Sequence, residues 1–115
     1  MKKILVVDDD KDTLEVVEYI LTSHGFDVRI HPTGLYVNEA VTEFKPDLIL
    51  LDIMLPGKLG TQVCKEVKTR SNIPIILFSA HAKETRSFSI CRADAFIGKP
   101  FNIDGLLNTI NDHLN

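Results

Sequence analysis

Three short apolar runs in this chain each end abruptly on polar residues. Lys3-Ile4-Leu5-Val6-Val7 runs into Asp8-Asp9-Asp10, Asp47-Leu48-Ile49-Leu50-Leu51 into Asp52, and Pro74-Ile75-Ile76-Leu77-Phe78 into Ser79. An uninterrupted run of this length, rich in β-branched residues, predicts a strand buried on both faces, as in a parallel sheet. A parallel sheet needs a crossover after each strand, and the intervening stretches have helical spacing. Leu14, Val17, Ile20 and Leu21 form one stripe, with Gly25 as a left-handed stop. Val37, Ala40, Val41 and Phe44 form a second, entered through the break Pro32-Thr33-Gly34 with Thr33 as a cap-type residue and ended by Pro46. Pro56-Gly57 and Gly60 mark a loop before a third helix on Val63, Cys64 and Val67, which closes near Ser71-Asn72. Ala82 to Cys91 is a polar fourth helix anchored by Phe88 and Ile90. Weaker strands are predicted at Asp27 to His31 and Ala95 to Gly98. Asn102 caps a last helix carrying Ile103, Leu106, Leu107, Ile110 and Leu114. Gly105 in its first turn costs about 1 kcal/mol against alanine and is expected to fray it. Five strand–helix units in strict alternation make an open, doubly wound α/β sheet with helices on both faces. A closed barrel needs eight such units and is excluded by the length of 115 residues.

Charge and cysteine content narrow the function classes. Sixteen acidic against 13 basic residues leave a net charge of −3, the wrong sign for a duplex nucleic-acid binder. Cys64 and Cys91 have no metal-ligand spacing and read as reduced, partly buried thiols of a cytoplasmic protein. No apolar run approaches the roughly 18 residues of a membrane span, and the three aspartates cut off any signal-peptide core. His24, His31 and His113 have no partner pattern and read as surface residues, and His81 as a solvated loop residue.

All strands of a parallel sheet point one way, so their carboxyl ends share an edge, where ligands bind. That edge gathers Asp8, Asp9 and Asp10 from the first strand, Asp52 from the third, Ser79 from the fourth and Lys99 from the last. Crowded carboxylates repel, and a hard divalent cation such as Mg²⁺ holds them ionised through oxygen ligands. A metal, a lysine and a hydroxyl together suit a phosphoryl group, whose transfer requires charge stabilisation above all. An aspartate can itself take the phosphoryl group as an acyl phosphate. Taken alone, Asp8 to Asp12 is equally a helix N-cap with favourable dipole charges. Asp52 and Lys99 on the same edge favour the ligand site.

Four motifs carry a family resemblance: Ile4-Leu5-Val6-Val7-Asp8-Asp9-Asp10, Asp47 through Gly57 (Asp-Leu-Ile-Leu-Leu-Asp-Ile-Met-Leu-Pro-Gly), Ile75 through Ala80, and Phe96-Ile97-Gly98-Lys99-Pro100-Phe101. In this order and spacing the chain resembles the receiver domain of bacterial two-component response regulators over its whole length, 1–115, as a single chemotaxis-regulator-like domain. The resemblance implies the flavodoxin-like strand order 2-1-3-4-5. It implies Asp52 as phospho-acceptor, Asp9 as a direct Mg²⁺ ligand, Asp8 as a ligand through water, and the Met54 main-chain carbonyl as a third protein ligand. Lys99 would pair with one phosphoryl oxygen and Ser79 bond another, both side chains pointing into the open edge, with Phe96 as the aromatic that follows Ser79. The donor would be a histidine kinase or histidine phosphotransfer protein. The face of the fourth predicted helix, fifth strand and last helix would then switch its affinity for an output protein partner. The protein would catalyse only its own phosphorylation and dephosphorylation, and would act in the cytoplasm without contacting nucleic acid or membrane. The Lys99-Pro100 bond is commonly cis in this family.

Two departures fall on the output face. Arg92-Ala93-Asp94 stands where the family has Gly-Ala-Asp, a change expected to alter that turn, and the segment from Ser79 to Arg92 is shorter than usual. Partner choice therefore does not carry over. Phe96 lacks a tyrosine hydroxyl and signals only by packing. No effector segment follows Asn115, which suits both a stand-alone receiver and a portion of a longer regulator. Three alternatives compete. A flavodoxin-like electron carrier needs a Ser/Thr/Gly phosphate loop where this chain has three aspartates. A dehalogenase-type phosphatase needs a second aspartate that Asp52-Ile53-Met54-Leu55 lacks. A purely structural interaction module would not need the acidic site.

Overall fold

The computed structural model of the chain describes residues 1–80 and 91–114. In chain order they form β1 (Lys3–Val7), α1 (Lys11–Ser23), β2 (Asp27–His31), α2 (Val37–Phe44), β3 (Leu48–Asp52), α3 (Gly60–Arg70), β4 (Ile75–Ser79), β5 (Ala95–Gly98) and α4 (Ile103–Asp112). The strands pair in parallel throughout, in the order β2-β1-β3-β4-β5. The doubly wound sheet is thus as expected from the alternation. The predicted helix from Ala82 lies outside the described residues except for Cys91, which sits in a turn.

Alternation along each strand splits the core in two. Leu5, Val7, Ile49, Leu51, Ile75 and Leu77 pack with α2 and α3. Ile4, Val6, Leu48, Leu50, Ile76 and Phe78 pack against α1 and α4. β3 and β4 are buried at every residue, whereas the edge strand β2 is half-buried at best. This is why the three continuous apolar runs are the central strands and the alternating one lies at an edge.

Several local expectations are corrected. Thr33 does not cap α2: its hydroxyl accepts from the Leu35 N–H at 2.9 Å, closing a turn, and the helix starts after Tyr36 at φ 64°. Gly60 is not loop but the first residue of α3. A Cβ there would lie 2.0 Å from the Asp52 carbonyl oxygen, so only glycine lets the helix start against the end of β3. Gly105 lies in the first turn of α4. It leaves room for the Asn102 side chain, which caps the helix by accepting from the Gly105 N–H; a Cβ would meet that oxygen at 2.9 Å. Arg92, which stands at the family's glycine position before β5, adopts the left-handed conformation itself, at φ 63°. The Lys99-Pro100 bond is cis.

Candidate functional site

The carboxyl edge of β1, β3 and β5 brings together side chains that are far apart in sequence. Asp8 follows Val6 by two residues and Asp52 follows Leu50 by two, so each extends a row that faces α1 and α4. Asp8 is fully buried, Asp52 is 7% exposed, and Asp9 is open to solvent. One carboxylate oxygen from each of Asp8, Asp9 and Asp52 lies within 4.8 Å of the others.

Lys99 reaches this group from just beyond β5. Its backbone N–H donates to the Ser79 carbonyl at 2.9 Å, continuing the β4–β5 ladder by one rung. Its ammonium donates to Asp8 Oδ2 at 2.7 Å and lies 3.5 Å from Asp52 Oδ2. It also sits over the Phe78 ring, 4.5 Å from the centroid. One ammonium among three carboxylates leaves an excess of negative charge. Burial holds the Asp52 carboxyl above its ordinary value of 3.8; Lys99 pulls it down and the Asp8 charge pushes it back up.

The three consecutive aspartates divide the two roles that sequence reasoning opposed. Asp10 is the N-cap of α1, accepting from the Asp12 N–H and, at 2.7 Å, from the Thr13 hydroxyl, which holds its carboxyl below the usual value. Asp8 Oδ1 accepts from the Asp10 N–H at 2.9 Å and so turns its other oxygen towards Lys99. The cap and the site coexist on adjacent residues.

The remaining site residues are positioned as follows. Ser79 ends β4 opposite Gly98 and is 2% exposed, so it is buried and not open at the edge. Lys99 is likewise largely covered, its side chain 18% exposed. Phe96 pairs with Leu77, two residues before Ser79, and packs half-buried against the core beneath α2 and α3. The Met54 side chain is exposed, and its backbone N–H donates to Asp52 Oδ1 at 3.4 Å. His81 lies outside the described residues. His31 and His113 are half-buried instead of free on the surface: each ring contacts a carbonyl four residues away, of Leu35 at 2.6 Å and of Thr109 at 2.8 Å. His24 is exposed, its ring 2.8 Å from the Ile20 carbonyl. Cys64 and Cys91 form no disulfide; both are fully buried and adjacent, the Cys64 thiol donating to the Cys91 carbonyl at 3.2 Å. Burial pushes the Cys64 thiol far above its ordinary value.

Three structural roles, two at the site and one at the opposite end of the sheet, escaped sequence reasoning. Phe78 reads as plain core and is also the platform under Lys99. Gly60 reads as loop. Asp94 reads as part of a turn, yet it accepts from the Ile75 N–H at 2.8 Å and from the Lys68 ammonium at 2.6 Å. A glycine soon after Asp52 at the start of a helical pattern was the one available signal; the two others depend on pairing partners that are remote in sequence.

The donor set fits Mg²⁺. The three clustered side chains offer carboxylate oxygens, the hard donors this ion takes, and Asp9 is open to the solvent from which it keeps its waters. Fold and site together define a doubly wound, flavodoxin-like α/β domain whose carboxyl edge gathers three carboxylates and one ammonium. The family model for the response regulator receiver domain matches residues 4–111. Solved structures agree. The BeF3-activated N-terminal receiver domain of Klebsiella pneumoniae RstA is 32% identical, with 99% of both chains covered and a TM-score of 0.94. A CheY-like receiver domain protein of Methanospirillum hungatei is also 32% identical, covering 99% of this chain and 94% of that one, at a TM-score of 0.92. The chemotaxis response regulator CheY4 of Vibrio cholerae is 25% identical, with 99% of both chains covered and a TM-score of 0.92. The chain belongs to the response regulator receiver domain family of two-component signalling. Among the described residues, no helix is long and apolar enough to cross a membrane.

Proposed function

We propose that Asp52 accepts a phosphoryl group from a phosphohistidine, carried by a histidine kinase or a histidine phosphotransfer protein, and that residues 1–115 act as one switch domain in the cytoplasm. The observation that carries this reading is the placement of Asp52. It ends the central strand β3, shielded from bulk water, with one ammonium and two further carboxylates around it. A buried carboxylate with an accessible oxygen is a competent nucleophile towards phosphorus once nearby charge is balanced.

Asp8, Asp9, Asp52 and the Met54 main-chain carbonyl would hold Mg²⁺. When bound, the ion supplies neutralisation of the charge that builds on the transferring phosphoryl oxygens. The chain's own groups do the rest. Asp52 attacks in line as the P–N bond to the donor histidine breaks, and the acyl phosphate forms on its carboxylate. Lys99 turns its ammonium from Asp8 towards a phosphoryl oxygen. Ser79 donates its hydroxyl to another. Water later attacks the phosphorus, the P–O bond to the Asp52 carboxylate breaks and inorganic phosphate leaves, so the protein catalyses its own phosphorylation and dephosphorylation and no other turnover. Movement of Ser79 leaves room on the face where Phe96 packs, and close-packed interiors answer with discrete rearrangement. The surface of the segment before Cys91, β5 and α4 then changes its affinity for an output protein, without direct contact to nucleic acid or membrane.

Intact-mass measurement after incubation with acetyl phosphate and Mg²⁺ tests this. One added phosphoryl group is expected, lost in Asp52→Asn and in EDTA. An unchanged adduct in Asp52→Asn would move the site elsewhere.

A further inference from the structure

The platform beneath Lys99 has a consequence for the reaction. We propose that Phe78 is a positioning residue, whose ring face holds the Lys99 ammonium between Asp8 and Asp52. This rests on the reading of Asp52 as phospho-acceptor. Register sets the contact: Phe78 pairs with Asp52 on one side and with Ile97 on the other, and Lys99 lies two residues past Ile97. The ring is therefore next to both the acceptor strand and the lysine strand, on the face that carries Asp8. It is fully buried, packed in the core beneath α1 and α4, and cannot drift.

The chemistry explains why a ring suits this place. An ammonium has three donors and a flexible stem. Asp8 and Asp52 approach it at 2.7 and 3.5 Å, and its remaining side faces the ring at 4.5 Å. An aliphatic side chain there would leave that side of a largely covered cation facing apolar carbon, which is costly. A further carboxylate would fix the lysine but cancel its charge. The π-face attracts the cation and has neither formal charge nor lone pair to compete for its protons. Lys99 is thereby held in place with its charge still available to an incoming phosphoryl oxygen. The other cation–ring contacts among the described residues, Lys3 and Arg29 over Phe44 at 5.4 and 4.8 Å, lie at the opposite end of the sheet and touch none of these groups.

The test keeps the size of the ring and weakens its face. Phe78 is replaced in the full chain, by site-specific incorporation, with phenylalanines carrying one, two and three ring fluorines, and separately by Phe78→Leu. Three quantities are followed: the ¹⁵N signal of the Lys99 ammonium in metal-free protein, the rate of labelling by acetyl phosphate in excess Mg²⁺, and the thermal midpoint. The Lys99 signal and the labelling rate are expected to change stepwise with each fluorine, the rate falling about 5- to 30-fold overall, the range a partly desolvated cation–π contact commands. The midpoint should stay at the wild-type value along the fluorine series. An unmoved Lys99 signal overturns the proposal. So does a rate that falls in Phe78→Leu but is flat along the fluorine series, because that reports packing. If the wild type takes no label at Asp52, the reading of Asp52 fails, and the Lys99 signal alone decides the contact: a stepwise shift upholds it and a constant signal removes it.

Discussion

The two ends of this sheet use the same residue type for opposite purposes. At the amino end, Asp47 and Asp94 each immediately precede a strand. Each repeats one reciprocal pair with the first residue of the neighbouring strand. Asp47 donates its N–H to the Lys3 carbonyl and accepts the Lys3 N–H on its carboxylate, both at 2.7 Å. Asp94 does the same with Ile75, at 2.8 Å each way. Lys68 then completes Asp94, donating also to the Ile73 carbonyl at 3.1 Å. At the carboxyl end, Asp8, Asp9 and Asp52 meet one ammonium and few N–H groups. The difference is directional. Strands entering a parallel sheet present unpaired N–H donors, which a carboxylate satisfies, whereas strands leaving it release backbone into loops and leave carboxylates for a ligand. Acidic residues at one end are therefore bonded into the backbone ladder, and at the other gathered around one ammonium.

The largest contrast is expected between Asp9→Ala and Asp94→Ala in labelling. Removing Asp9 should slow acetyl phosphate labelling at least about tenfold at limiting Mg²⁺, because one oxygen donor to a reluctantly dehydrating ion is lost. Its melting midpoint should not fall, since a repelling charge is gone. Labelling of Asp94→Ala at the wild-type rate, followed by intact mass, would uphold the separation of the two ends.

Gly60 is where the separation should break. Its close approach to the Asp52 carbonyl makes Gly60→Ala cost roughly 2–4 kcal/mol by urea denaturation, through forced backbone displacement. The same shift moves β3 and with it Asp52, so labelling and stability should drop together. Asp94→Ala should cost about 1.5–3 kcal/mol, the usual value of a charge-assisted hydrogen bond whose loss leaves the Ile75 N–H unpaired.

Asp52→Asn should act in the other direction on stability. The Asp52 carboxyl is held above 3.8, so the folded protein binds this proton more tightly than the unfolded chain does. The group's contribution is therefore best below 3.8 and declines as pH rises through the raised folded value. In metal-free buffer the variant's advantage should grow across that window and level off at neutral pH, a midpoint a few degrees above wild type by calorimetry. A wild type more stable than the variant at pH 7 in EDTA would show Asp52 to be fully compensated by Lys99. The smallest effect belongs to Arg92→Gly. Relief of a left-handed arginine should add about 0.5–1 kcal/mol without altering labelling.

Much of this protein is legible without coordinates. The continuous runs at Ile4–Val7, Leu48–Leu51 and Ile75–Phe78 determine central strands, because only burial on both faces tolerates side chains that are all apolar. Strict alternation with helical stripes then determines a parallel sheet. Parallelism alone puts Asp8, Asp52 and Lys99 on one edge. What sequence could not decide is which oxygen meets which nitrogen. Lys99 lies nearer Asp8 than Asp52. Asp10 caps while Asp8 and Asp9 do not, Thr33 turns the chain without capping it, and Phe78 is platform as well as core. Periodicity reports only the face a residue occupies, a property of its own strand or helix. Pairing depends on register between strands dozens of residues apart and on angles within one turn, and those are settled only when the whole sheet packs.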